Sequence, residues 1–131
     1  MIVRPALKIQ TYGALLLIAA LGAFHGPARA GEVDVVAVAV VASAAGVYRF
    51  DVTLSHADEG WHHYADLWEI RDGDGTVLAT RVLAHPHVNE QPFTRRLGGV
   101  RIGPSLNVVT VAAHDSVHGY GGEEITVDLP E

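Results

Sequence analysis

The segment V-Y-R-F-D-V-T-L, residues 47–54, decides the fold because apolar and polar residues alternate along it. Its even-numbered positions are apolar, and Arg49, Asp51 and Thr53 lie between them. Successive side chains of a β-strand point to opposite faces of a sheet. The segment therefore predicts a strand with one buried face and one face open to water.

Strand patterns recur on both sides of this segment. No stretch of residues 31–131 has the periodicity of a helix of normal length, and Asp72-Gly73-Asp74-Gly75 is typical of a hairpin turn. Seven short strands in about 100 residues, one of them carrying Trp68, predict an all-β, immunoglobulin-like β-sandwich. The six other predicted strands cover residues 33–41, 64–71, 76–84, 93–97, 106–113 and 123–129.

The N-terminal residues have the pattern of an export signal. Arg4 and Lys8 give a basic start, residues 13–24 are apolar, and Ala28-Arg29-Ala30 fits a cleavage site. We expect residues 1–30 to be a cleaved signal peptide and residues 31–131 to form one domain. The apolar stretch is too short for a membrane span, so we expect no membrane insertion after cleavage. The predicted location is the bacterial periplasm or the outside of the cell.

The composition of residues 31–131 limits the partners. They contain six arginines, no lysine and 15 acidic residues, a net charge of −9 with neutral histidines. A domain of this charge repels nucleic acid and anionic lipid and favours cations, metal ions among them. The chain has no cysteine, so its stability has to come from an apolar core or from a bound ligand.

The histidines fall in three loops. Because consecutive strands alternate in direction, strand parity places all three loops, and with them seven of the eight histidines, at one end of the predicted sandwich. They are His56, His62 and His63 after the second strand, His85 and His87 after the fourth, and His114 and His118 after the sixth.

This arrangement predicts a mononuclear metal site. Imidazole binds zinc, copper and iron well, and the absence of cysteine and of methionine from residues 31–131 argues against copper(I). The predicted ion is therefore zinc, copper(II) or iron(II). Asp66, Glu90 and Asp115 are candidates for further ligands or for acceptors of an imidazole N–H. The candidate ligands are His63, His85, His87 and His118, then His56 and His114, and finally Asp115.

Three short motifs stand out in the same loops: H-A-D at residues 56–58, H-Y-A-D-L-W at 63–68 and D-S-V-H-G at 115–119. They resemble the motifs H-P-M, H-Y-I-x-W and C-N-x-H-G of the iron domain of superoxide reductases (desulfoferrodoxin and neelaredoxin). That domain is an immunoglobulin-like sandwich whose iron is bound by four histidines and one cysteine. The resemblance implies the same fold and an iron site.

On this resemblance, His56, His63 and His118 correspond to histidine ligands, and Asp115 stands where the family has its cysteine. A carboxylate is a harder donor than the thiolate that tunes the iron in that family. The likeness therefore implies a metal site more directly than it implies reductase activity. Residues 85–95 also resemble a segment of small uncharacterised secreted bacterial proteins, a likeness that implies no function.

The leading hypothesis is a periplasmic metal-binding protein, acting as a carrier, buffer or sensor without catalysis. The enzyme alternative is a mononuclear redox centre similar to superoxide reductase. A third alternative is a module that binds a periplasmic protein partner and whose histidines respond to pH. Metal identity and redox behaviour separate these hypotheses.

Overall fold

Strands make up all regular secondary structure in the part of the chain that the computed structural model describes, Leu17–Ile18 and residues 31–131. Each of the seven predicted strands is present, with bounds shifted by a few residues, and the all-β prediction is confirmed. The strands are β1 (Leu17–Ile18), β2 (Asp34–Ala44), β3 (Val47–Ser55), β4 (Ala65–Arg71), β5 (Val77–Val82), β6 (Phe93–Arg101), β7 (Val108–Asp115) and β8 (Ile125–Asp128).

The strands form two antiparallel sheets, ordered β1-β2-β3-β6 and β5-β4-β7-β8. The pairing of β3 with β6, of β4 with β7, and of β7 with β8 is the arrangement of immunoglobulin-like sandwiches. In antibody constant domains the fourth strand of the domain joins the first sheet, whereas here β5 pairs with β4. The predicted β-sandwich is therefore the observed architecture.

The core lies between the two sheets. Phe50, Val52 and Leu54 of β3 are fully buried, as their alternation with polar residues predicts. Trp68 and Ile70 of β4 are buried equally completely on the opposite sheet. Burial of each large apolar side chain contributes about 1.5–3 kcal/mol, so these residues hold the two sheets together without a disulfide.

The strand register brings the histidine-bearing loops to one end of the sandwich, here called the histidine pole. Leu54 at the end of β3 pairs with Phe93 at the start of β6, and Ala65 at the start of β4 pairs with Asp115 at the end of β7. The loops that follow β3, β5 and β7 therefore share this end. The start of β2 lies there too, because Asp34 pairs with Ser55.

The expected signal peptide, residues 1–30, lies outside the described residues except for Leu17–Ile18. These two residues pair antiparallel with Val40 and Ala39 of β2. Among the described residues, no helix has the length and hydrophobicity needed to cross a membrane.

Candidate metal centre

Two histidines and one aspartate meet at the histidine pole. The Oδ2 atom of Asp115 lies 2.5 Å from Nε2 of His56 and 2.8 Å from Nε2 of His63. All three residues are buried, Asp115 completely. One donor atom from each lies within 4.8 Å of the others, which is the spacing expected of ligands that share an ion.

Local backbone structure sets these positions. His56 directly follows β3, and a tight turn follows it, in which the N–H of His63 donates to Gly60 O (3.1 Å) and the N–H of Glu59 donates to His63 O (2.8 Å). Two residues after His63, Ala65 pairs with Asp115 across β4 and β7. The turn and the sheet register together bring the two imidazoles to the aspartate.

Asp58 holds the His56 ring in one orientation. Its Oδ1 contacts Nδ1 of His56 and accepts the backbone N–H of Ala65 (3.0 Å), while its Oδ2 accepts the backbone N–H of His87 (2.7 Å). The Asp58 side chain is fully buried. A carboxylate that accepts the Nδ1 proton leaves Nε2 as the ligand atom, and this arrangement is usual for metal-bound histidine.

His63 has the same arrangement in weaker form. Its Nδ1 lies 3.3 Å from Oε1 of Glu59, whose side chain is largely exposed. Burial lowers the pKa of His63, but the hydrogen bond to the carbonyl of Gly31 and the charges of Asp115 and Glu59 outweigh it and raise that pKa above its usual value. Both histidines therefore point Nε2 inward and Nδ1 at a carboxylate.

Asp115 is held as an anion with one oxygen available. Its Oδ1 accepts the backbone N–H of His118 (2.6 Å) and of Val117 (2.8 Å). Burial raises the pKa of Asp115, but these two N–H groups and the nearby His56 and His63 lower it overall. Its Oδ2 is buried and accepts no well-aligned hydrogen bond, although two Nε2 atoms lie beside it.

Two further groups border this cluster. Nδ1 of His118 lies 3.2 Å from Oδ1 of Asp115, and the His118 ring lies 5.0 Å from that of His63, centroid to centroid. The carbonyl oxygen of Gly31 lies 3.2 Å from Nε2 of His56 and 3.3 Å from Nε2 of His63. The cluster thus contains nitrogen donors, a carboxylate and a backbone carbonyl.

The structure places the other predicted ligands in separate groups. The rings of His85 and His87 lie 4.6 Å apart, and His87 stacks on Phe93 at 4.0 Å. Burial, together with Arg95 and His85, lowers the pKa of His87. Asp58 links this pair to the cluster through the His87 backbone, and neither ring belongs to the group of convergent donors.

His114 also lies apart from the convergent donors. Its Nδ1 is 2.5 Å from Asp66, one of the predicted N–H acceptors, and its ring contacts Tyr120 edge-on. Glu90, another predicted acceptor, pairs with Arg95 at 3.3 Å. His62 is exposed, with Nε2 3.8 Å from Glu59.

Sequence reasoning did not assign roles to Asp58, Glu59 or Gly31. The H-x-D spacing of His56 and Asp58 was a usable signal, because a side chain two residues away can turn back onto the ring. Glu59 precedes His63 by four residues across a turn that spacing alone does not define. Nothing near Gly31 in the sequence marks it as a neighbour of loops that lie 25 or more residues away.

Comparison with known proteins gives one informative match. A protein of Halomicrobium mukohataei described as "Putative lipoprotein" is 37% identical over 97 residues. The match covers 74% of this chain and 47% of the relative, so the chain spans less than half of that protein's length. No protein-family model matches the chain, and no solved structure matches it.

Proposed function

We propose that this protein binds one transition-metal ion at the histidine pole, through His56, His63 and Asp115. The observation that carries this proposal is the shared orientation of the two histidines. Each turns Nδ1 toward a carboxylate and Nε2 toward the same oxygen of Asp115. A buried oxygen in a purely structural network normally accepts a hydrogen bond, whereas Oδ2 of Asp115 accepts no well-aligned one despite the two Nε2 atoms beside it.

The donor set favours zinc, copper(II) or iron(II). Two imidazoles and a carboxylate suit each of these ions, and the chain has no thiolate that would favour copper(I). Imidazole and carboxylate groups bind a metal ion in their unprotonated forms, so affinity would rise with pH. His118 is the best placed fourth ligand, because its half-exposed ring borders Asp115 and His63.

The physiological role that fits best is non-catalytic metal binding outside the cytoplasm, as a carrier, buffer or sensor. Two observations support export: the signal-like pattern of residues 1–30 and the similarity to a relative described as a lipoprotein. An acidic domain also attracts cations from its surroundings. Binding rather than turnover is favoured because the donors are deeply buried.

A redox function similar to that of superoxide reductase is a second candidate. The observation that favours it is the meeting of His56, His63 and His118 at Asp115, as the motif resemblance implies. Iron in the purified protein together with turnover of superoxide would support this function. A protein that holds only zinc would refute it.

The decisive experiment is metal analysis of untagged protein purified from the periplasm of an expression host. We expect about one equivalent of a single transition metal per chain, the stoichiometry of a one-site protein. His63→Ala should abolish high-affinity binding, and His62→Ala is the matched control because its exposed ring lies in the same turn. Equal effects of the two substitutions would refute the ligand assignment.

If the protein bound none of zinc, copper(II) and iron(II) on titration, the proposal of a metal site would be refuted. The histidine pole would then be a binding surface for a protein partner, and partner binding that changes between about pH 5 and 7 would be its signature.

A further inference from the structure

Gly31 contacts the cluster of His56, His63 and Asp115 although it lies at the start of the described domain. Its carbonyl oxygen is within 3.3 Å of Nε2 of both His56 and His63. The ring of His118 packs against its Cα, since a Cβ at this position would lie 2.7 Å from Cε1 of His118.

Gly31 is also the residue that follows the expected cleavage site. Hydrolysis by a signal peptidase adds water across the Ala30–Gly31 bond. The hydroxyl goes to the carbonyl carbon of Ala30, which leaves as a carboxylate, and the nitrogen of Gly31 gains a proton and becomes a primary amine. That amine is joined to the Gly31 carbonyl through a single carbon atom.

From this coincidence we propose that export processing completes the metal centre, with the α-amino group and the carbonyl oxygen of Gly31 chelating the ion beside His56, His63 and Asp115. This inference rests on the proposed function. An amine nitrogen and a carbonyl oxygen on one residue close a five-membered ring with a metal ion. The protonated –NH3+ form of the amine releases one proton to solvent, and the neutral –NH2 group then binds through its lone pair. An unprocessed chain has an amide nitrogen at this position, which is a far poorer donor.

Glycine at position 31 fits this role for two reasons. It lets the carbonyl approach both imidazoles, and it lets the His118 ring cover the site from outside. The neighbouring residues fix the segment, because Val33 is buried and the N–H of Val35 donates to Glu123 O at 2.8 Å. The amino terminus would therefore be anchored two residues before the core begins.

The composition allows a selective test. Residues 31–131 contain no lysine, so a polypeptide of these residues has a single primary amine, the α-amine of Gly31. Exported, processed protein would be acetylated with an amine-reactive acetyl ester, and zinc and copper(II) affinities would be measured before and after. We expect a single acetyl group, an unchanged circular dichroism spectrum and an affinity lower by about tenfold or more.

Bound metal should also protect the amine. Acetylation should be slower with saturating zinc than with chelator, and this protection should vanish in Asp115→Asn, which loses the central ligand. Equal affinity before and after acetylation, or a mature chain that mass spectrometry shows to begin elsewhere, would overturn the inference while leaving the histidine site intact. Failure of both forms to bind metal would overturn the proposed function as well.

Discussion

Asp58→Asn is the sharpest test of the proposed metal site, because it preserves side-chain size at a residue that is not itself a proposed ligand. Asp58 contacts Nδ1 of His56, whereas the proposed ligand atom of that ring is Nε2. Asp58 serves three donors: Nδ1 of His56, the N–H of Ala65 and the N–H of His87. Asparagine has one carbonyl oxygen and one NH2 group in place of the two carboxylate oxygens. Its oxygen can accept from the donors on one side, but its NH2 group then faces the donors on the other side.

The substitution should lower both the metal affinity and the free energy of unfolding, for different physical reasons. If the NH2 group faces His56, Nδ1 has to accept a hydrogen bond instead of donating one, and Nε2 then carries the hydrogen that blocks metal binding. Loss of such a carboxylate lowers metal affinity by about 10–100-fold, or roughly 1.4–2.8 kcal/mol. In chelator, the one buried N–H that loses its acceptor lowers the free energy of unfolding by about 1–3 kcal/mol.

The assay is a competition titration with a chromogenic chelator for zinc or copper(II), paired with urea unfolding in EDTA. Asp66→Asn is the matched control, because Asp66 also contacts an imidazole Nδ1, that of His114, but in a pair that is about one quarter exposed. We expect it to leave metal affinity unchanged. An Asp58→Asn protein that loses stability but binds metal like the unsubstituted protein would refute the orienting role of Asp58.

Other substitutions test the histidine pole and its support. The folded pKa of His87 is lower than its unfolded value, so stability is complete above about pH 6.5 and falls as the pH drops and the unfolded chain takes up the proton. Between pH 7 and 5 in EDTA, His87→Leu should therefore lose less stability than the unsubstituted protein, by up to about 1 kcal/mol. If urea unfolding gave the two proteins the same pH profile, that result would contradict the burial of a neutral His87 ring. Gly122→Ala should cost about 1–3 kcal/mol, because its Cβ would lie 1.9 Å from the carbonyl oxygen of Val33. Gly98→Ala is the control, because a Cβ at this position meets no neighbouring atom, and it should change the free energy of unfolding by less than about 0.5 kcal/mol. Similar losses for the two substitutions would show that the contact with Val33 is easily relieved.

The sequence was most informative where a local pattern has a single structural solution. The alternation of residues 47–54 requires one buried face, and Phe50, Val52 and Leu54 are indeed fully buried. Turn chemistry placed the chain reversals, so the antiparallel strands and their number followed. Parity of the strands then placed the histidine-bearing loops at one end, and the register of β3, β4, β6 and β7 agrees with that placement.

Tertiary structure decided which residues belong to the cluster of His56, His63 and Asp115. From the sequence, His85 and His87 were candidate ligands equal to His63, because all three are loop histidines at the same end of the sandwich. The structure separates them: His87 stacks on Phe93, while His63 meets Asp115 across β4 and β7. Which loop histidines point inward depends on packing between two sheets, and no local pattern records that packing.

The sequence by itself therefore determined an acidic, cysteine-free β-sandwich with histidines at one end, since composition and period-two alternation are local properties. Only the tertiary structure decided that Asp115 offers one oxygen to two imidazoles. It also decided that Gly31 reaches the same cluster. These contacts join residues 25 to 59 positions apart in the chain, and their geometry depends on how the two sheets are stacked.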